Sequence, residues 1–240
     1  PRPGFSPPPD RPSGEHPAGP VGPNGRIGGA ARDGAGGAAS RWSPQVAQAE
    51  QAFVRALRAF EDAGDRRGRA DALRALGALR QDEARLRESL AAYRELGDPR
   101  GAAEALLDLA RLHLAAGRHP EARDCVERRI GLNRRLGDRL PEAMALLVLA
   151  EVSRAEGAPD AAARAAREAL ETFTQYGDRR NAGQALMVLA RTALDNDDTD
   201  GAVDALVRAM GEFDGLGDDE GKAEAVRLDQ EARRRRDLRI

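Results

Sequence analysis

The sequence predicts an all-α repeat fold. Three observations support this prediction: a strict forty-residue period, apolar residues at helical spacing, and a Gly-Asp pair at each unit boundary. The period is visible in four triplets: Leu96-Gly97-Asp98, Leu136-Gly137-Asp138, Tyr176-Gly177-Asp178 and Leu216-Gly217-Asp218. A constant period of this length is typical of a solenoid built from stacked units. We therefore expect an α-solenoid in which each unit packs on its neighbours.

Each full unit is predicted to contain two antiparallel helices. Leu106, Leu109 and Ala110 have the i, i+3, i+4 spacing of one helical face, and the same pattern returns forty and eighty residues later. A break near Gly117 or Gly157 then separates the first helix from a second one, which runs to the next Gly-Asp pair. A helical hairpin is the expected unit.

The Gly-Asp pair explains the ends of these helices. Glycine adopts the left-handed conformation that ends a helix, and aspartate accepts hydrogen bonds from the free amides that begin the next one. Asp98-Pro99 also places proline at the first helical position, where its missing N–H costs nothing. Ser43-Pro44 is expected to start the first helix in the same way.

The first unit is seven residues shorter than the others, because Gly64-Asp65 precedes Gly97-Asp98 by thirty-three residues. Seven residues are about two helical turns, so the buried face is expected to keep its phase. An aromatic residue also recurs late in the second helix, and we assign it to the core. The residues at this position are Phe60, Tyr93, Phe173 and Phe213, with Asn133 as the exception.

These boundaries predict the domain organisation. Residues 1–41 are rich in proline and glycine and are expected to form a disordered tail or linker. Residues 42–232 are expected to form the repeat domain, and residues 237–240 a short C-terminal tail. The predicted segments of the repeat domain are an N-terminal helix 42–64, a short repeat 65–97, full repeats 98–137, 138–177 and 178–217, and a capping helix 218–236. Position 1 is proline and not methionine, which leaves open whether the chain is one segment of a longer polypeptide.

Composition narrows the class of function. With 38 basic and 40 acidic residues, the charge is balanced, which argues against direct binding to nucleic acid or to an anionic membrane. Cys125 is the only cysteine, and no apolar run approaches the twenty residues of a membrane span. We therefore expect a cytoplasmic protein in a reducing compartment.

The sequence lacks the residue spacings that are typical of metal sites and of catalytic residues. His113, His119 and Cys125 lack the i, i+4 spacing of a helical zinc site. The acidic run from Asp195 to Asp200 lacks the glycine and glutamate of a calcium loop, so it is interpreted as a solvated turn. We expect no catalytic residues, no bound metal and no cofactor, and hence a protein that is not an enzyme.

The array resembles the tetratricopeptide repeat (TPR), whose two-helix units carry an Ala-Leu pair late in the second helix. Ala169-Leu170, Ala209-Met210 and Ala56-Leu57 match this pair, whereas Arg129-Ile130 and Ser89-Leu90 depart from it. The forty-residue form with Leu-Gly-Asp-Arg is similar to arrays at the C-terminus of bacterial multidomain regulators. The resemblance covers about residues 42–230 and implies a right-handed superhelix with a concave ligand-binding face.

The TPR geometry, transferred position by position, implies which side chains face the hollow of the superhelix. These predicted peptide-binding residues are Arg74, Glu104, Leu107, Arg111, Leu114, Met144, Leu147, Glu151, Arg154, Gln184, Met187 and Arg191. Asp71 is expected beside them. An apolar stripe next to charges of alternating sign suits an extended or helical peptide. Packing of Leu107, Leu147 and Met187 against the neighbouring hairpin explains the same stripe equally well.

We therefore predict a non-catalytic protein-interaction module that binds a peptide or partner domain on its concave face, in a regulatory or assembly role. The alternative function is the sensory, effector-binding region of a multidomain bacterial transcription regulator. This alternative requires further domains that the present sequence does not contain. The oligomeric state is not indicated by the sequence.

Overall fold

The computed structural model describes residues 44–238, and within that range the chain folds into ten α-helices. The helices are α1 Pro44–Ala63, α2 Arg66–Arg80, α3 Glu83–Glu95, α4 Pro99–Ala115, α5 His119–Leu136, α6 Arg139–Ala155, α7 Pro159–Gln175, α8 Arg179–Asp195, α9 Thr199–Asp214 and α10 Asp219–Asp237. Each helix packs on the preceding and the following helix. The expected all-α repeat fold is confirmed. The predicted tail 1–41, Ser43 and the end of the predicted C-terminal tail lie outside the described residues.

The junctions between units have the predicted geometry, with one exception. Gly64, Gly97, Gly137, Gly177 and Gly217 all have positive φ, between 63° and 70°. The aspartate that follows each of the first, second, fourth and fifth of these glycines accepts a hydrogen bond from the backbone amide three residues later, at distances of 2.9 to 3.1 Å. These bonds satisfy amides that the first turn of a helix otherwise leaves free.

Asp138 is the exception, because its side chain makes no capping hydrogen bond. Its two carboxylate oxygens instead accept hydrogen bonds from Arg100 at the start of α4, at 3.0 and 3.1 Å. Arg67 and Arg180, at the same position of their own units, reach Asp98 and Asp218 of the following unit. In three units, the arginine two residues after the first aspartate thus pairs with the first aspartate of the next unit. At Asp138 this ion pair takes the place of the helix-capping hydrogen bond.

The seven missing residues of the first unit are shared between its two helices. Seventeen residues separate Gly64 from Gln81, whereas twenty separate Gly97 from Gly117, and all four residues have positive φ at a helix end. Sixteen residues separate Gln81 from Gly97, four fewer than the twenty from Gly117 to Gly137. Each helix therefore loses about one turn, which keeps the buried face of each helix in phase.

Four aromatic residues of the second helices were predicted to lie in the core, and three of them do. Tyr93, Phe173 and Phe213 are at most 1% exposed, whereas Phe60 in the terminal helix pair is only half-buried. Tyr93 lies directly over Gly101 of the next unit, where an added Cβ would come within 2.3 Å of the ring. The absence of a side chain at that glycine is what allows the ring to pack there.

Arg129 and Ser89 replace the alanine of the Ala-Leu pair, and both donate a hydrogen bond to a backbone carbonyl. Ser89 Oγ donates a hydrogen bond to the Ala70 carbonyl at 2.8 Å, and Arg129 Nη1 donates to the Ala103 carbonyl at 3.4 Å. Both acceptors belong to the first helix of the same unit, and both donors are fully buried. A carbonyl of the partner helix accepts one hydrogen bond from each buried side chain, whereas Nε of Arg129 has no hydrogen-bond partner among the described residues.

Candidate peptide-binding face

The first helices of the units form a continuous surface, which we call the inner face. Its helices are α2, α4, α6, α8 and α10, and each of them contacts the next one in this series. Within residues 44–238, the backbones of the second helices α1, α3, α5, α7 and α9 do not contact one another, and the ion pair of Arg134 with Glu168 at 3.7 Å joins α5 to α7 through side chains alone. The spacing between units is therefore smaller on the side of the first helices, which curves the stack toward them. The inner face is the concave side.

Ion pairs connect neighbouring helices across most of this face. Arg74 of α2 donates to Asp108 of α4 at 2.9 Å, and Arg154 of α6 donates to Asp195 of α8 at 2.9 Å. Arg191 of α8 donates to Glu224 of α10. Apart from pairs at the helix starts, the inner face thus has a bridging pair at three of its four helix–helix steps. Each of these arginines is held by the protein itself.

At the step from α4 to α6, the only bridging pair among the described residues is Arg100 with Asp138, which lies at the start of the two helices. Arg111 on α4 is exposed, and no described acidic side chain lies within ion-pair distance of it. Glu151 occupies the equivalent position on α6 and likewise makes no ion pair or hydrogen bond through its side chain. One free cation and one free anion therefore lie at corresponding positions of adjacent helices.

The environment of Glu151 is poorly solvated. Burial raises the pKa of its carboxyl group, and the attraction of Arg191, Arg111 and Arg154 only partly opposes this effect. Two of these arginines are already engaged with Asp195 and Glu224. A hydrogen-bond donor or a cation supplied by a ligand would stabilise the charged carboxylate, because no described donor does so now.

Two of the predicted site residues lie in the core. Leu107 and Met187 are each 2% exposed and belong to the core clusters of their hairpins. At these two positions the packing interpretation applies, since a buried side chain offers no surface to a ligand. Leu147 differs because it is half-buried, so it both packs and presents surface. Of the predicted apolar stripe, only Leu147 keeps accessible surface. The half-buried Leu114 and Met144 add apolar surface beside it.

The remaining predicted residues lie on the inner face with varied partners. Glu104 accepts a hydrogen bond from Arg129 at 3.1 Å, and Gln184 is half-buried on α8. Burial lowers the pKa of Arg129, whose side chain is 0% exposed. Asp71 on α2 accepts a hydrogen bond from the Tyr93 hydroxyl, whose pKa burial raises to about 12. These two contacts hold the carboxylates of Glu104 and Asp71 within the protein.

The sequence reasoning missed the acidic partners of the arginines. Asp108, Asp195 and Glu224 were not among the predicted residues, although each lies on a first helix. Their signal in the sequence is an opposite charge placed 34, 41 or 33 residues after an arginine of the preceding first helix. One repeat length separates adjacent first helices, so a search near that spacing would have found the pairs.

His113 and Cys125 are packing residues, as their alignment predicts. His113 is 2% exposed and Cys125 is 7% exposed. Burial raises the pKa of the Cys125 thiol to about 11, so the thiol is protonated and unreactive at neutral pH. No cluster of three or more potential metal ligands occurs within residues 44–238. None of the ten helices is both long and apolar enough to cross a bilayer.

Comparison with solved structures finds a protein of similar fold. The crystal structure of BtubC (BKLC) from P. vanneervenii matches with a TM-score of 0.60 and 19% identity, over 82% of this chain and 92% of that chain. A de novo designed helical repeat protein, DHR81, matches with a TM-score of 0.27 and 22% identity, over 80% of this chain and 90% of that one. The first likeness concerns the fold alone, and the second is too weak to carry an argument. No family model and no curated protein matches the chain.

Proposed function

We propose that this chain is a non-catalytic protein-interaction module that binds a peptide segment on the inner face, at the step between α4 and α6. The observation that carries the proposal is that neither Arg111 nor Glu151 has an ion-pair partner among the described residues. At the other three steps, each arginine is matched by an acid of the next helix. Here Arg111 and Glu151 are left open to a ligand.

The chemistry of the site indicates the chemistry of the ligand. An acidic side chain would pair with Arg111, and a basic or amide group would pair with the poorly solvated Glu151 carboxylate. The half-buried Leu114, Met144 and Leu147 provide apolar surface beside these charges. A peptide with an apolar residue flanked by opposite charges meets all three requirements.

The proposal also includes the type of repeat to which the units belong. We infer that the units are tetratricopeptide-like, because each is an antiparallel helix pair whose first helices line a concave face. We further propose that the protein acts in the cytoplasm in a regulatory or assembly role. Most arginines of the inner face pair with acidic side chains of the protein, which supports a structural role for them. A ligand would therefore contact mainly the unpaired Arg111 and Glu151, between α4 and α6.

A peptide-display selection tests this proposal. Peptides enriched on the wild-type chain should lose enrichment on the variant Arg111→Glu, because the introduced carboxylate repels the acidic group of the ligand. The exchange variant, Arg111→Glu with Glu151→Lys, should enrich peptides whose charges are in the inverted order. Arg234→Glu, on the exposed side of α10, is the control and should enrich the same peptides as the wild type.

Circular dichroism checks that each variant keeps its helical content. The proposal fails if Arg111→Glu, with unchanged helicity, still selects the wild-type peptides. It also fails if the exchange variant shows no inversion of charge among its peptides.

A further inference from the structure

A second candidate site lies on the other side of the stack, between α3 and α5. The backbones of these two helices do not contact each other, although Arg118 at the start of α5 donates to Glu83 of α3 at 2.8 Å. Two adjoining cavities occupy the space between the helices. The cavities share Arg94, Leu106 and Arg128, so they form one continuous groove, which we call the outer groove. Its floor is Leu106 of α4, and Leu132 and Pro99 form its apolar walls.

The rim of the outer groove is strongly basic. Two arginines on α3 and two on α5 line it, and on each helix the two are seven residues apart: Arg87 and Arg94, then Arg128 and Arg135. Seven helical residues span about 10 Å, so each rim carries two cations about two turns apart. The groove is therefore apolar at its base and positive along the α3 edge, and its α5 edge carries two arginines together with Glu121 and Asp124.

Little of this charge is neutralised within the protein. Arg87 and Arg128 form only i,i+4 surface pairs, with Glu83 and Asp124, and such pairs are weak. Among the described residues, no acidic side chain lies within ion-pair distance of Arg94 or Arg135. The single carboxylate at that end of the groove, Asp98, is held by its helix cap and by Arg67.

The corresponding positions of the other units do not repeat this pattern. Between α5 and α7, the equivalent residues are Glu127, Arg134, Glu168 and Gln175. Between α7 and α9, they are Arg167, Thr174, Arg208 and Gly215. Four arginines around one groove are therefore particular to α3 and α5, and stacking of the repeats does not require them.

We propose that the outer groove binds an acidic peptide segment with apolar residues between its carboxylates. An extended chain advances about 3.3 Å per residue, so carboxylates three residues apart match the 10 Å spacing of each arginine pair. The half-buried Leu132 and the exposed Pro99 provide apolar surface for the intervening side chains. Nucleic acid fits less well, because Tyr93, the aromatic residue that lines the groove, is 1% exposed and offers no face for base stacking.

Gly131 provides a sharp test. It lies on α5 within the groove lining, and an added Cβ would meet no atom within 4 Å. Gly131→Glu therefore places a carboxylate in the groove without disturbing the helix, and Glu171 already occupies the equivalent position of α7. Gly211→Glu is the matched control, because Gly211 is the equivalent residue of α9, is equally open, and lies away from the groove.

The experiment measures the fluorescence anisotropy of a labelled Glu-Glu-Leu repeat peptide. The wild-type chain should bind it saturably, and both Gly131→Glu and the double variant Arg94→Glu with Arg135→Glu should weaken binding about tenfold or more. Gly211→Glu should bind as the wild type does. A loss of binding with Gly131→Glu, which leaves the inner face unchanged, separates this site from the proposed peptide site there.

Three outcomes would overturn the proposal. The first is no saturable binding of the glutamate peptide to the wild type, and the second is equal affinity for the Gly131→Glu and Gly211→Glu variants. The third is tighter binding of an oligothymidylate, displaced by the same substitutions, which would assign the groove to nucleic acid. A Lys-Lys-Leu repeat peptide controls for apolar binding alone and should not bind.

Discussion

Replacement of Gly101 by alanine should destabilise the fold, although alanine is the better helix former. A Cβ at this position would lie 2.3 to 2.7 Å from three ring atoms of Tyr93, whereas carbon atoms in contact prefer about 3.5–4.0 Å. The ring is held in this position, because Tyr93 is 1% exposed and its hydroxyl donates to Asp71. Overpacking of this kind costs about 1–3 kcal/mol, and the helix-propensity gain of up to about 1 kcal/mol offsets only part of it.

Gly131→Ala is the matched control, with the opposite expected sign. No atom lies within 4 Å of its added Cβ, so only the propensity gain of about 0.5–1 kcal/mol remains. Urea denaturation followed by circular dichroism measures both free energies of unfolding. In a Tyr93→Leu background, Gly101→Ala should lose most of its cost, because the ring that it meets is gone. A Gly101→Ala variant as stable as the wild type would refute the packing argument.

Two further predictions concern the core. Ala190 is 0% exposed, so Ala190→Leu should lower the free energy of unfolding by about 1–3 kcal/mol in urea, while Leu at the exposed Ala223 should change it little. Burial lowers the pKa of His113 below its ordinary 6.5, so the unfolded chain binds the proton first and stability falls as pH drops below about 6.5. His113→Ser, the residue present at Ser153, should show a smaller fall, and identical pH profiles would contradict this assignment.

Much of the fold follows from local chemistry that the sequence displays. The glycines at the junctions have positive φ because the chain must reverse there, and the aspartates cap because free amides follow. Asp138 shows the limit of such reasoning. Its local sequence matches a cap, yet its carboxylate pairs with Arg100, thirty-eight residues earlier. Competition between two partners of one side chain depends on distances that only the folded chain defines.

The candidate sites show the same limit more strongly. The repeat period placed Leu107, Arg111 and Glu151 on the first helices, but it did not distinguish a packed leucine from an exposed one. Burial is decided by how closely neighbouring helices approach. Arg111 is unpaired because no acidic side chain of α6 comes within ion-pair distance of it. The sequence of α4 alone does not show this.

The sequence by itself determined the number, order and ends of the helix pairs, because these depend on contacts within a few residues and on a period that recurs along the chain. The tertiary structure alone decided which charges are paired between units and which remain open, and it revealed the groove between α3 and α5. Both features depend on side chains that are one repeat apart in sequence and become neighbours only when the units stack.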